Sequence, residues 1–424
     1  MQRRLLLKSG GLALFAASAG ALPAFLGRGA QAVTRRGRPK VLVTVFQRFG
    51  MDGLMAATPY ADERLAKLRP NLMLPRPGSG EPHARLDLGD GFGLHPAFAP
   101  LLPLYREGHL AIVHAAGSPH NTRSHTEAQL WWESGVPGDR RATDGWLNRA
   151  LGAAAPANEQ PLRAVSMTRE RPRIFYGEHA AAAMEGVDAL AITFADEAGG
   201  AEAVSALEAL YREAGHGALR AAGRDGFEAA KLLADASRTP AEAAGYPERS
   251  SFARSLREIA HLVKADVGLQ VAFAESRTAG PNDAGTWDTH SNQAAMNGPF
   301  PLMADDFARS LAAFWHDLGE RRDDVALVTL TDFGRNVVEN AGVGTDHGRA
   351  TAMFVLGASI RGGRVYGSLP ERFERDALED RLDLPVTTDF RAVITALTAA
   401  QLGIDDDAQV FPGWTGPRLA LTHT

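Results

Sequence analysis

Cysteine is absent from all 424 residues. Its absence excludes disulfides, thiolate metal sites and cysteine nucleophiles, so any metal ion must be held by His, Asp and Glu. The chain also lacks an unbroken apolar run of the roughly 20 residues that a membrane-spanning helix needs. The apolar stretch 11–26 is interrupted by Gly, Ser and Pro. A concentrated basic surface is missing too. With a formal charge of −5, the composition argues against a nucleic-acid binder, which would need dense Lys and Arg. No internal repeat is evident.

What is present begins with a leader. Arg3 and Arg4 precede Leu5, Leu6, Leu7 and Lys8, the apolar stretch follows, and Ala30, Gln31 and Ala32 supply a small-residue cleavage site. Residues 1–32 therefore read as a twin-arginine export signal. The mature protein is expected to begin near Val33 and to work in the periplasm or elsewhere outside the cytoplasm, exported already folded and with no stable membrane span once the leader is gone. Cofactor loading before export is compatible with that route. The remainder, 33–424, is long enough for one large domain with a substantial core.

Short runs rich in β-branched residues alternate with longer helical patterns, the signature of an α/β domain with a mostly parallel sheet. Strands are expected at 41–46, 110–114, 269–274, 325–331 and 353–356, and helices at 123–133, 305–318 and 390–402, where apolar residues recur at helical spacing. The stretch 148–246, rich in Ala, Glu and Gly, reads as a helical insertion over one end of the sheet, with a helical piece at 202–214.

In an open parallel sheet, ligands gather beyond the carboxyl ends of the strands, and the polar residues concentrate there. Asp52 follows the first strand between Gly50 and Gly53, where an Asp can also simply cap a helix. After the second strand, Ser118, His120, Arg123, Ser124, His125 and Glu127 crowd a strand end and a helix start. A helix start stabilises anions, and a hydroxyl there can act as a nucleophile toward phosphate or sulfate, although Ser124 with Glu127 also has the spacing of a capping box. In the extended segment Thr286–Gln293, Asp288 and His290 point the same way and can converge on one ion, with Trp287 as a buried anchor. Asp332 follows the expected strand 325–331, and GTDHG supplies Asp346 and His347. Clustered carboxylates repel one another and demand a cation. Asp52, Asp288, His290, Asp332 and His347 together suit one or two divalent ions, whether zinc, manganese, calcium or magnesium.

The ordered motifs RFGMDGLMAATPY, LHPAF, GSPHNTRSHTEAQLWWESG, DGWLNRAL, TWDTHSNQ, LTDFGR and GTDHG, behind the leader, resemble the exported bacterial family called domain of unknown function 1501. That family is similar to the alkaline phosphatase and sulfatase superfamily. The resemblance implies a three-layer α/β/α sandwich with metal at Asp52, Asp288, His290, Asp332 and His347 and with Ser124 as nucleophile. Two departures stand out: Phe333 follows Asp332 where a second ligand is usual, and Phe49 stands where relatives tend to have Gly.

These features point to a metal-dependent hydrolase or transferase of phosphate or sulfate esters. Ser124 would attack, Arg123 would stabilise charged oxygens, and His125 or His120 would assist proton transfer. The expected partner is an anionic ester, either a small molecule or an envelope glycan. The rival reading is a non-catalytic envelope binding protein that keeps the fold and at most one structural metal.

Overall fold

The computed structural model describes residues 38–154, 161–186, 245–280, 284–293 and 298–423, with a few helical positions between 209 and 233. The expected leader (1–32) and the expected helical piece 202–214, save Ala209, lie outside the described residues. Among the described residues, no helix is long and apolar enough to cross a membrane.

A nine-stranded sheet forms the middle layer. Its strands are β1 (Val41–Gln47), β2 (Leu110–Gly117), β3 (Ala164–Ser166), β4 (Ala182–Ala183), β5 (Val271–Ser276), β6 (Val325–Thr331), β7 (Thr351–Gly357), β8 (Val365–Tyr366) and β9 (Thr388–Asp389). The spatial order is β8-β2-β7-β6-β1-β5-β3-β4, with β9 also pairing β2. The longer central strands are near-continuous apolar runs because both faces are covered. In β1, Val41, Val43 and Val45 enter one core cluster while Leu42 and Phe46 enter the other. The same alternation divides Val325 and Leu327 from Ala326, Val328 and Leu330 in β6, as the two-residue period of a strand requires.

The helices α1 (His125–Ser134), α2 (Trp146–Ala153), α3 (Ser251–Lys264), α4 (Pro299–Asp317) and α5 (Phe390–Leu402) cover both faces. Phe252, Leu256, Phe300, Phe307 and Phe314 of α3 and α4 complete the first cluster. Trp132, Trp146, Phe390 and Val393 of α1, α2 and α5 complete the second. The result is the expected three-layer α/β/α sandwich. Helix α4 begins six residues before the expected 305 because Pro299 and Pro301 fall in its first turn, where a missing N–H costs nothing.

Two differences from expectation matter. Strand β7 runs antiparallel to both β6 and β2, while every other pairing in this sheet is parallel. The carboxyl ends of β1, β2, β5 and β6 and the amino end of β7 therefore share one edge. The segment expected as a purely helical insertion also contributes β3 and β4 to the sheet, with β3 paired to β5; strands this short leave little periodicity to read.

Candidate metal centre

That shared edge gathers the chemistry. The chain leaving β2 starts α1 at His125, the segment beyond β5 carries Asp288 and His290, Asp332 directly follows β6, and His347 lies four residues before β7. Trp287, fully buried, donates its Nε1–H to Ser276 Oγ at 3.1 Å and packs edge-on against Phe300 and Phe307. This anchors Asp288 and His290 to the end of β5. The loop holding His347 presses so close that a Cβ on Gly344 would lie 2.4 Å from the His290 carbonyl carbon.

Four side chains converge. His125 Nε2 and His290 Nε2 each lie 3.1 Å from His347 Nε2. Asp288 Oδ1 lies 3.0 Å from His290 Nε2 and 3.2 Å from His347 Nε2, and Asp288 Oδ2 lies 3.6 Å from His125 Nε2. Ligands placed tetrahedrally at the 2.0–2.1 Å typical of zinc stand about 3.3 Å apart, so the spacing suits one small cation. His125, Asp288 and His347 form the group best placed to hold it, and His290 Nε2 stands beside Asp288 and His347 as a candidate fourth.

The opposite ring nitrogens fix the protonation. His125 Nδ1 meets Asp332 Oδ2 at 2.6 Å, His290 Nδ1 meets Asp346 Oδ1 at 3.0 Å, and His347 Nδ1 meets the Arg123 carbonyl at 2.9 Å. All three partners are acceptors, so in the neutral ring each Nδ1 carries the proton and each Nε2 presents its lone pair. Three lone pairs and a carboxylate then face one point, an arrangement that a cation relieves. Burial works against the Asp288 carboxylate, but hydrogen bonds from His125, His347 and Arg335 outweigh it and hold its pKa far below 3.8. Burial also opposes charge on His125, yet hydrogen bonds to Asp288 and Asp332 push its pKa up to about 9. The pocket attracts positive charge.

Not every expected ligand reaches the centre. Asp332, side chain fully buried, is an orienting carboxylate: besides His125 it accepts Gln129 Nε2 at 2.9 Å and the Phe49 N–H at 3.2 Å. Asp52, 1% exposed, caps a helical turn through the Met55 N–H at 3.0 Å. Its other oxygen takes Arg69 Nη1 at 2.8 Å and Gln293 Nε2 at 2.6 Å. His125, expected as a proton carrier, stands among the candidate ligands. His120 packs at a tilt against Trp131 with ring centroids 4.6 Å apart and makes no contact with the cluster among the described residues. Arg123 is tied through its side chain to Asp383 at 2.6 Å and reaches the site only through its carbonyl. Ser124 is exposed at the N-cap of α1, and its hydroxyl makes no hydrogen bond among the described residues.

Several functional neighbours escape a sequence reading. Arg69 and Arg335, both fully buried, are the counter-ions of Asp52 and Asp288, the latter at 2.6 Å. Gln129, one helical turn after His125, was legible only as a residue on the same helix face. Phe333 packs against His125 and His347 at centroid distances of 4.7 and 4.8 Å, walling the site at the position noted above as a departure from the family resemblance. Phe49 adopts φ +84°, a left-handed conformation that favours glycine.

The chain belongs to the family described as protein of unknown function (DUF1501), whose model matches residues 111–413. No protein of curated function matches it. Among solved structures it is similar to a protein in the alkaline phosphatase superfamily from Vibrio parahaemolyticus, at 12% identity over 87% of this chain and 72% of that one, with a TM-score of 0.35. It is also similar to the PsFucS1 sulfatase from Pseudoalteromonas sp., at 13% identity over 94% and 72% of the two chains, TM-score 0.40. A third is the C-terminal periplasmic domain of EcEptC from Escherichia coli in complex with Zn, at 9% identity over 76% and 73%, TM-score 0.34.

Proposed function

We propose that this chain is an exported hydrolase or transferase of phosphate or sulfate esters with one divalent metal, best suited by zinc, held by His125, Asp288, His290 and His347. The observation that carries the reading is the convergence of three outward-anchored imidazoles and one carboxylate at the strand ends. A metal there supplies a Lewis acid beside the bound ester. Asp332, Asp346 and the Arg123 carbonyl keep the imidazoles in the binding tautomer, and Arg335 holds Asp288 in place. The His290 side chain is 46% exposed, so the centre is open to solvent and a substrate can approach. Ser124 precedes a ligand by one residue, has an unengaged hydroxyl and lines a cleft of about 600 Å³ that runs along α1; it is the nucleophile of this proposal. Its oxygen bonds to phosphorus or sulfur as the ester oxygen leaves with a proton, and water then releases the acid from Ser124. Export rests on the leader, Arg3 and Arg4 above all.

A second reading, a non-catalytic protein with a structural metal, draws on one observation: with His290 beside His125, Asp288 and His347, the centre offers as many as four protein ligands, the number that closed structural sites use. Metal analysis of the purified chain and a screen of aryl phosphates, phosphodiesters and aryl sulfates separate the two. Bound metal with turnover that disappears in both Ser124→Ala and Asp288→Asn supports the hydrolase. Bound metal without turnover on any ester supports the structural reading, and metal-free protein in every preparation refutes both.

A further inference from the structure

The groove does not end at the metal. Along α1, His125, Gln129 and Glu133 stand at intervals of four on one face, and Gln129 and Glu133 line both the cleft beside Ser124 and a second cleft of about 630 Å³. At 1.5 Å per residue, Glu133 lies about 12 Å along the helix from His125. The second cleft is lined by Arg48, Arg169, Arg171, Arg173, Arg254 and Arg277. Four glutamates share it, but Glu133 and Glu275 are engaged by Arg48 at 2.6 and 2.5 Å. Glu170 and Glu185 are the other two. The lining therefore keeps an excess of positive charge, and the exposed Arg169 and Arg254 have no ion pair among the described residues. Between the arginines sits Tyr176, 40% exposed and the exposed large hydrophobic among the described residues. Arg171 and Arg173 flank its ring at 5.4 and 5.6 Å.

Unpaired guanidiniums in a concave site recognise sulfate or phosphate oxygens, and an aromatic ring beside them offers apolar area with a polar hydroxyl to a ring-shaped ligand. We infer that this cleft is a second anion subsite that holds a sulfated or phosphorylated saccharide, its ring on Tyr176 and its charges on Arg169, Arg171 and Arg254. Taken with the proposed function, on which this part rests, the ligand would lie along α1 with its reacting ester at the metal centre and a further anionic group about 12 Å away.

Binding of a labelled dextran sulfate oligosaccharide to the metal-loaded chain, by fluorescence anisotropy at low salt, tests the subsite without reference to turnover. Neutral dextran of the same length should not bind, and tripolyphosphate, with no ring for Tyr176, should bind about tenfold more weakly. Arg169→Ala with Arg254→Ala should weaken the sulfated ligand by about tenfold or more, whereas Arg254→Lys alone keeps the charge and should retain most of the affinity. Tyr176→Ala should weaken dextran sulfate while leaving tripolyphosphate unchanged. The metal-site variant Asp288→Asn should still bind, and binding by a parent chain that hydrolyses no ester counts against the proposed reaction and not against the subsite. Unchanged binding in the double arginine variant overturns the inference, and equal binding of tripolyphosphate overturns its saccharide part.

Discussion

The substitution Asp332→Asn isolates the role of an orienting carboxylate, because it changes charge and donor pattern while keeping shape. Asp332 accepts three hydrogen bonds in a fully buried position: His125 Nδ1 at 2.6 Å, Gln129 Nε2 at 2.9 Å and the Phe49 N–H at 3.2 Å. An asparagine offers one oxygen and one NH2. If the oxygen stays with Phe49, the amide hydrogens face His125 Nδ1 and the Gln129 amide, both donors in the native site. His125 then does best by moving its proton to Nε2, the atom that faces the metal. Losing such a partner costs about 10–100-fold in metal affinity, or roughly 1.4–2.8 kcal/mol at 1.4 kcal/mol per tenfold. Competition for zinc against a chromogenic chelator at neutral pH reads this directly, and the melting temperature of the metal-free variant controls for folding. A variant that folds normally and holds zinc as tightly as the parent would refute the assignment of Asp332 to the outer shell.

His114 and His95 are buried, and burial lowers their pKa values from 6.5 to about 4 and about 3. The unfolded chain therefore takes up protons that the folded chain refuses as pH falls below 6.5; stability is full above that pH, and His114 alone should remove about 3 kcal/mol by pH 4. A melting-temperature series from pH 7 to 4 should show this slope, and His114→Gln, which can keep the bonds to Ala57 and Ala115, should flatten it; an equal slope in the variant refutes the cause. Gly344→Ala places a methyl group against the His290 backbone and should weaken zinc binding by about tenfold through loss of one ligand position, a loss absent if the loop yields freely. Metal analysis should give one zinc per chain, and two equivalents in the parent protein would contradict the pairing of Asp52 with Arg69.

The sandwich was legible because both-face burial writes itself into residues such as Val41–Phe46 and Val325–Leu330, and helix α5 was legible because its apolar spacing ends at Gly403, the left-handed C-cap. The reversal of β7 was not, since strand direction is decided by pairing and leaves no local mark in Thr351–Gly357. At the site, residue type and position at strand ends pointed to one neighbourhood, and Asp288, His290 and His347 do meet there. Their division of labour with His125, Asp332 and Asp52 depends on which atom each side chain presents, and that is a tertiary fact. The buried arginines were hidden because arginine in a sequence such as Lys67–Asn71 reads as a surface residue.

What separates the three aspartates is the identity of the cation that each meets. Asp52 finds its cation within the chain: Arg69 also donates to the carbonyls of Val337 and Asn336, and both side chains are at most 2% exposed. A metal could bind Asp52 only by displacing a guanidinium that has no route to water, and stranding that charge would cost several kcal/mol. Asp332 meets an imidazole proton and an amide and so acts on the centre only through His125. Asp288 also has a guanidinium, from Arg335, yet it is 31% exposed and its oxygens still face the imidazole nitrogens. A fixed cation behind Asp288 lowers its basicity and holds it still without filling the space in front of it. Buried arginine thus closes one carboxylate to metal and leaves another facing the imidazoles, and a single candidate centre follows from where the two guanidiniums lie.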